Sequence, residues 1–336
     1  MKVYTYYYRS RPVFVCASAK TTAAERVFMR GSAIRRTATG AIVVFLTHTD
    51  EQQFATDFLK AVDEFNQRAV SLGLAEAEKY YWYHTIDLPH GLVTPGLYDF
   101  RETVPAFQFP GDMSGATVLD VGSATGFFAF EFERRGARVV SVELPSLQAL
   151  DRFPGQSSEQ AIGKIGQMIA PRNVTGLDGY VKPYTADELY LYLLEGPFQF
   201  CRRLLGSKVE RCYASVYDLS PALLGASAFD YVFLGDILVH TLNPLQALAA
   251  VAPLCRKTLI LSQVMPEVAG GKPAMLYVGG DEPASDEVSW WWPNQPCLVQ
   301  LLKKLGFRDV VEVGINAGRL RPSGFAFERP ILHAVR

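Results

Sequence analysis

The 336-residue chain has few cysteines, few histidines and no dominant charge, and each scarcity closes off a class of protein. Its five cysteines (Cys16, Cys201, Cys212, Cys255, Cys297) are scattered, with no CxxC pair and no histidine at ligand spacing. That pattern excludes a disulfide framework and points to no metal site. A reducing, cytoplasmic setting follows as the simplest expectation. No stretch of about 18 apolar residues occurs, so no membrane span is expected. "PVFVCASA" ends like a signal-peptide cleavage site, but its apolar run is too short and its flank is tyrosine and arginine. Net charge is −1, so nothing global advertises nucleic acid. The first 36 residues are the exception: Lys2, Arg9, Arg11, Lys20, Arg26, Arg30, Arg35 and Arg36 stand against Glu25 alone.

What is present is apolar bulk: 49% hydrophobic and 12% aromatic residues, enough for a large core. Residues 1–75 read as an α+β appendage, with a strand in "AIVVFLT" and a helix in which Phe54, Phe58, Leu59, Val62 and Phe65 recur at helical spacing. Residues 76–115, broken by Pro and Gly, form a connector wrapping the ligand site, and residues 116–336 form the main domain. There, strands expected at 117–121, 137–143, 211–217, 229–235, 257–264, 309–315 and 328–335 alternate with helices at 127–135, 243–255 and 294–306. This is the rhythm of a doubly wound α/β sheet. A long insertion, 146–208, leaves the carboxyl edge of the sheet, where such folds bind ligands, and is a candidate lid.

The stretch "TVLDVGSATGFF" names the ligand class. A dinucleotide loop would place glycine where Ser123 and Ala124 stand, and Asp120, two residues before Gly122, would repel a diphosphate. The same acid suits a ligand with an ammonium group and a sulfonium, as in S-adenosyl-L-methionine. Glu143, 21 residues after Gly122, ends the second strand, where a carboxylate can accept both ribose hydroxyls. Asp218 ends the third, placed for an adenine amino group between Tyr217 and Leu219. Any one such acid serves as a cap or turn residue about as often as it binds a ligand; three in order at successive strand ends make a constellation.

"DVGSATGFFAFEFERRGARVVSVE", "GSKVERCYASVYDL", "FDYVFLGDILVHTLNPLQAL" and "WWWPNQPCLVQLLKKLGF" resemble class I S-adenosylmethionine-dependent methyltransferases over roughly residues 80–336. More narrowly they resemble the branch that includes the tRNA wobble-uridine 5-oxyacetate methyltransferases. The resemblance implies a Rossmann-like sheet of seven strands ordered 3-2-1-4-5-7-6, the seventh antiparallel. It places Asp120, Gly122, Ser123 and Gly126 on the methionine moiety, Glu143 and Leu144 on the ribose, and Tyr217, Asp218 and Leu219 on the adenine. Gly235 and Asp236 would lie beneath the sulfonium, with Tyr98 and Arg101 closing over it. The oxyacetate enzymes hold a carboxylated cofactor with a lysine, a tyrosine and an arginine. Here Val239 stands at the tyrosine position, "WYHTIDLP" has no matching lysine, and only Arg329 matches the arginine, so ordinary methyl transfer is the expectation.

His240, beyond the fourth strand, is the candidate proton acceptor, with Asp236 beside it; a structural histidine before the next helix is the competing reading. His84 and the tryptophans Trp291 and Trp292 are candidate acceptor contacts, though at least one tryptophan of Trp290–Trp292 should be core. Two functions of different class stand: a methyltransferase acting on an oxygen or nitrogen of a small molecule, and an RNA modifier or RNA-binding module using the basic, tyrosine-rich start. A nicotinamide oxidoreductase is a distant third.

Overall fold

The computed structural model describes residues 2–8, 11–17, 33–36, 42–45, 48–169, 185–281 and 288–336, with side chains from residue 53 onward except 167–169. The side chains of the basic start and residues 170–184 of the insertion thus lie outside the described residues. Two compact units are present, Met1–Leu59 with Arg321–Gly324, and Lys60–Leu320 with Phe325–Arg336. The first contains an antiparallel sheet of β1 (Lys2–Tyr8), β2 (Arg11–Ala17), β3 (Ala33–Arg36) and β4 (Ile42–Phe45), ordered β1-β2-β4-β3. It also holds the start of helix α1 (His48–Ser71).

The second unit opens with the rest of α1, whose Val62, Phe65 and Ala69 are buried, and a short hairpin, β5 (Asp87–Leu88) and β6 (Leu92–Val93). Its centre is a seven-stranded sheet of β7 (Thr117–Val121), β8 (Arg138–Glu143), β9 (Glu210–Tyr213), β10 (Phe229–Gly235) and β11 (Cys255–Ser262), with the later β14 (Asp309–Arg319) and β15 (Ala326–Val335). A two-stranded ribbon, β12 (Met275–Tyr277) and β13 (Trp291–Pro293), lies between these in sequence. The sheet runs β14-β15-β11-β10-β7-β8-β9, with β15 antiparallel to both neighbours. Numbered within the sheet, that is 3-2-1-4-5-7-6 read from the other edge, the class I methyltransferase order.

Both faces are covered, and the alternation of side chains says by what. Val118, Phe233, Ile260 and Ile331 face one core with the phenylalanines of α2 (Phe127–Arg134) and Phe107 and Phe109 of the connector. Leu119, Leu234, Leu259, Leu261 and Leu332 face the other. Against these pack α7 (Pro244–Val251) and α8 (Gln295–Lys304), which follow α3 (Ser158–Ile169), α4 (Ala186–Tyr190), α5 (Gly196–Leu205) and α6 (Pro221–Leu224) in chain order. Among the described residues no helix is long and apolar enough to cross a membrane, and no group of three metal-ligating side chains occurs.

Element boundaries differ from expectation where side chains compete with the backbone. The third strand stops at Tyr213, because the Ser215 hydroxyl accepts from the Tyr217 amide and turns Val216–Asp218 into a 3-10 turn. The helix expected at 243–255 is α-helical only to Val251 and continues as a 3-10 turn over Ala252–Leu254, where Pro253 has no amide hydrogen to offer an α-helical bond.

The aromatic face is the keystone of packing: the Phe128 and Phe233 ring centroids are 4.4 Å apart, and Phe107, Phe109 and Phe132 also meet Phe233. Phe233→Ala should therefore destabilise the chain by about 3–5 kcal/mol. Urea unfolding read by circular dichroism measures this; a loss under about 1 kcal/mol would mean the aromatic layer repacks freely.

Candidate cofactor and acceptor site

The glycine turn after β7 is built from beneath. Gly122 has φ +73°, so the position needs glycine for its conformation, and a Cβ there would also have to displace the end of the Ile237 side chain, 2.5 Å away at Cδ1. The Gly122 and Ser123 amides donate to the Val142 carbonyl, tying the turn to β8. Arg211 of β9, its side chain only 3% exposed, donates to Ser123 Oγ (2.6 Å), Ser141 Oγ (2.9 Å) and the Ala124 carbonyl (3.0 Å). Its guanidinium carbon sits 4.0 Å from the Phe198 ring centroid, and its Nε lies 3.7 Å from Glu195 Oε2.

Asp120 is 1% exposed at the inner edge of this turn, and its Oδ2 has no hydrogen-bond partner. Burial is the main reason its pKa is pushed up to about 7; nearby Arg211 opposes the rise and Glu143 adds to it. Glu143 ends β8 with one backbone donor on each oxygen, Ala124 N at 2.8 Å on Oε2 and Leu144 N at 3.0 Å on Oε1. A carboxylate oxygen accepts two hydrogen bonds, so both retain capacity for a ligand. The insertion closes over this edge: Tyr190 donates to the Leu144 carbonyl (2.7 Å).

Beyond β9, Tyr217 is half-buried and Leu219 buried, while Asp218 is exposed. The Tyr217 hydroxyl donates to Asp151 and receives the Asn243 amide at 3.1 Å. Asp151 also accepts from the Leu242 amide (2.7 Å), and its carbonyl accepts from Trp290 Nε1 (3.2 Å). Asp151 therefore fastens the insertion to the segments after β9 and β10.

At the end of β10, Asp236 takes a left-handed φ of +48°, unusual for a residue with a side chain. Both its oxygens accept from Arg329 Nε, at 2.9 and 2.7 Å. Tyr98 lies nearby, influenced by both charges, and hydrogen-bonds Tyr83. Burial raises the pKa of both tyrosines, so both stay protonated. His240 is half-buried, with Nδ1 against the Val288 carbonyl. A carbonyl only accepts, so Nδ1 carries the proton and Nε2 is an acceptor.

The remaining candidates have protein partners of their own. Arg101 is held by Asp87 (2.7 Å) and by both oxygens of Asp99 (2.8 Å each), on the surface. His84 is 5% exposed, bonded to Thr125 (2.9 Å) and packed on Phe100 and Phe127. Burial lowers its pKa to about 3, so it is neutral, and through Thr125 it braces the glycine turn. Trp290 is the core tryptophan at 1% exposure. Trp291 donates to the Leu242 carbonyl (3.1 Å) and meets Tyr277, and Trp292 is half-buried on the same ribbon. Sequence reasoning missed Arg211, Asp151, Tyr190 and Tyr83, whose partners are distant along the chain and leave no local pattern.

No protein-family model matches the chain. Over 76 residues it is 36% identical to the magnesium-protoporphyrin O-methyltransferase of Rhodobacter capsulatus, a match covering 22% of this chain. The chain spans only 34% of the length of that curated relative. Among solved structures it is similar to the magnesium protoporphyrin IX methyltransferase of Synechocystis PCC 6803 with bound SAM (15% identity, 70% of this chain and 76% of that one, TM-score 0.41). It is also similar to the N-terminal domain of EvdMO1 (16%, 81% and 97%, 0.44). A third is the 1,6-didemethyltoxoflavin-N1-methyltransferase of Burkholderia thailandensis (14%, 99% and 99%, 0.38). These superpositions are loose, and the fold rests on the strand order itself.

Asp120 sets a pH dependence. Its folded-state pKa of about 7 lies above the ordinary 3.8, so the folded chain holds an extra proton between those values and loses stability as pH rises through that window. The loss amounts to a few kcal/mol at about 1.4 kcal/mol per pH unit. Melting temperature measured across that range should fall more steeply with rising pH than in Asp120→Asn; equal slopes would place the carboxyl in water.

Proposed function

We propose that the chain is an S-adenosylmethionine-dependent methyltransferase that alkylates an oxygen or nitrogen of a small-molecule acceptor. The observation carrying this reading is Asp120 Oδ2, a buried carboxylate oxygen without a partner at the end of the central strand, beside a Glu143 with spare acceptor capacity. Asp120 fits an ammonium group, Glu143 a pair of ribose hydroxyls, and Tyr217 with Leu219 the flat face of a base. A diphosphate cofactor would meet repulsion at Asp120, whereas an acid at the position of Glu143 suits the ribose of either cofactor.

S-adenosylmethionine, when bound, supplies an activated methyl carbon on a sulfonium. The chain's own residues contribute alignment and proton handling. Glycine at 122 lets backbone approach the ligand closely, Arg211 fixes the turn, and Tyr190 and Asp151 hold the insertion where it excludes water. His240 Nε2 is the free acceptor able to take a proton from the acceptor group, held in that tautomer by Val288. Against the carboxylated-cofactor branch stands the pairing of Arg329 with Asp236, which neutralises the one arginine available to it. The family resemblance and the partial identity to an O-methyltransferase support the same reading.

Titration calorimetry with S-adenosylhomocysteine tests it. Binding is expected, and Glu143→Ala should weaken it by roughly tenfold to a hundredfold, the equivalent of one charge-assisted bond at about 1.5–3 kcal/mol. Binding of NAD in its place would overturn the proposal. Once an acceptor is in hand, His240→Ala should lower kcat while leaving cofactor affinity near that of the unaltered chain; an unchanged kcat would reduce His240 to a structural residue.

A further inference from the structure

The edge of the sheet formed by the carboxyl ends of β10, β11 and β14 and the amino end of the antiparallel β15 carries a second cluster, on the face of the sheet shared by Phe233 and Ile331. Ser262 pairs in register with Gly235 on one side and Ile331 on the other, and its carbonyl accepts the Asp236 amide at 2.8 Å. Asn316 is the cross-strand partner of Arg329, so the two side chains share a face, and Arg329 lies two residues before Ile331 on that same face. Ser262 Oγ and Asn316 Oδ1 are 4% and 3% exposed by residue and have no hydrogen-bond partner. Buried polar atoms left so are rare and costly. The left-handed Asp236 adds local backbone strain at the same spot.

Charge and hydrogen-bonding capacity specify what would satisfy this cluster. Asp236 and Arg329 cancel each other, so a charged group entering here would be buried without a counter-ion. Arg329 Nε is spent on Asp236 and Nη1 on the Glu328 carbonyl, which leaves Nη2 as a donor. The Tyr83 and Tyr98 hydroxyls bond to each other, which uses one of their two protons and leaves the other available to a further acceptor. Asn316 Oδ1 can only accept. A ligand must therefore bring a donor and an acceptor side by side without net charge. The ring of Tyr98, 5.3 Å from those of Phe327 and Phe100, adds a flat aromatic wall.

We infer that Asp236, Arg329, Tyr83, Tyr98, Ser262 and Asn316 form the acceptor subsite, and that it takes a neutral planar group with adjacent N–H or O–H and carbonyl functions, such as a lactam, in preference to a carboxylate. The inference rests on the methyltransferase reading and names its acceptor class. The test loads the full chain with S-adenosylhomocysteine and titrates 2-quinolone, a neutral lactam, against 2-naphthoate, an anion of similar shape. The lactam should bind at least about tenfold tighter. Asp236→Asn strips the counter-charge from Arg329 and should reverse the order. Asn316→Leu should weaken 2-quinolone about tenfold while leaving 2-naphthoate and S-adenosylhomocysteine affinities unchanged, which keeps the test decisive if Asp236→Asn does not fold. Tighter 2-naphthoate binding by the unaltered chain, no reversal in a folded Asp236→Asn, or an indifferent Asn316→Leu would overturn the inference. So would failure of both probes on a chain that still binds S-adenosylhomocysteine, with the methyltransferase reading left standing. Failure of S-adenosylhomocysteine itself would remove both.

Discussion

A carboxylate sealed at the end of the central strand constrains everything around it. Asp120 is removed from water with one oxygen unmatched, a costly arrangement unless a cation arrives or the group stays protonated. Its surroundings balance between the two. Arg211 lies near enough to oppose the rise in pKa but directs its Nη donors to Ser123, Ser141 and Ala124. Glu143 adds repulsion, while its own oxygens are steadied by two amides. The turn is thus tied down by hydrogen bonds yet electrostatically incomplete, which is what the proposed reading asks of a site for a cationic ligand.

The insertion is coupled to that turn through contacts that no single segment could supply. Tyr190 reaches the residue after Glu143, and Glu195, in the wide turn after it, approaches Arg211 and accepts from Tyr213 (2.6 Å). At its other end Asp151 gathers Tyr217, Leu242 and Trp290. A ligand lying along the carboxyl edge from β8 to β10 would be enclosed by the same residues that hold the insertion in place. Tyr190 and Asp151 belong to the same insertion, so the contacts at the β8 and β10 ends of that edge are coupled through it.

Much of this was legible before any coordinates. β-branched runs ending in acids fix β7 and β8, and the alternation of Val118 with Leu119 and Phe233 with Leu234 encodes a sheet covered on both faces. The glycines at 122 and 126 announce their turn because they follow an apolar run and precede an amphipathic one. What could not be read depends on distance in sequence. Arg211 is a charged residue in a strand until its bonds to residues 88 and 70 positions away are known. Arg101 looked free because Asp87 and Asp99 return to it only through the fold of the connector. His84 is polar in sequence yet buried, since the turn beneath the glycine loop needs a bond to Thr125 more than it needs solvent.

On the proposed reading, the ligand's ammonium group ionises Asp120 when it binds. Calorimetric titration of S-adenosylmethionine at pH 7, run in two buffers of different ionisation enthalpy, reads this as proton release. With a free-state pKa of about 7, binding should release roughly half a proton, and Asp120→Asn should release none. Binding with no proton release by the unaltered chain would contradict the account.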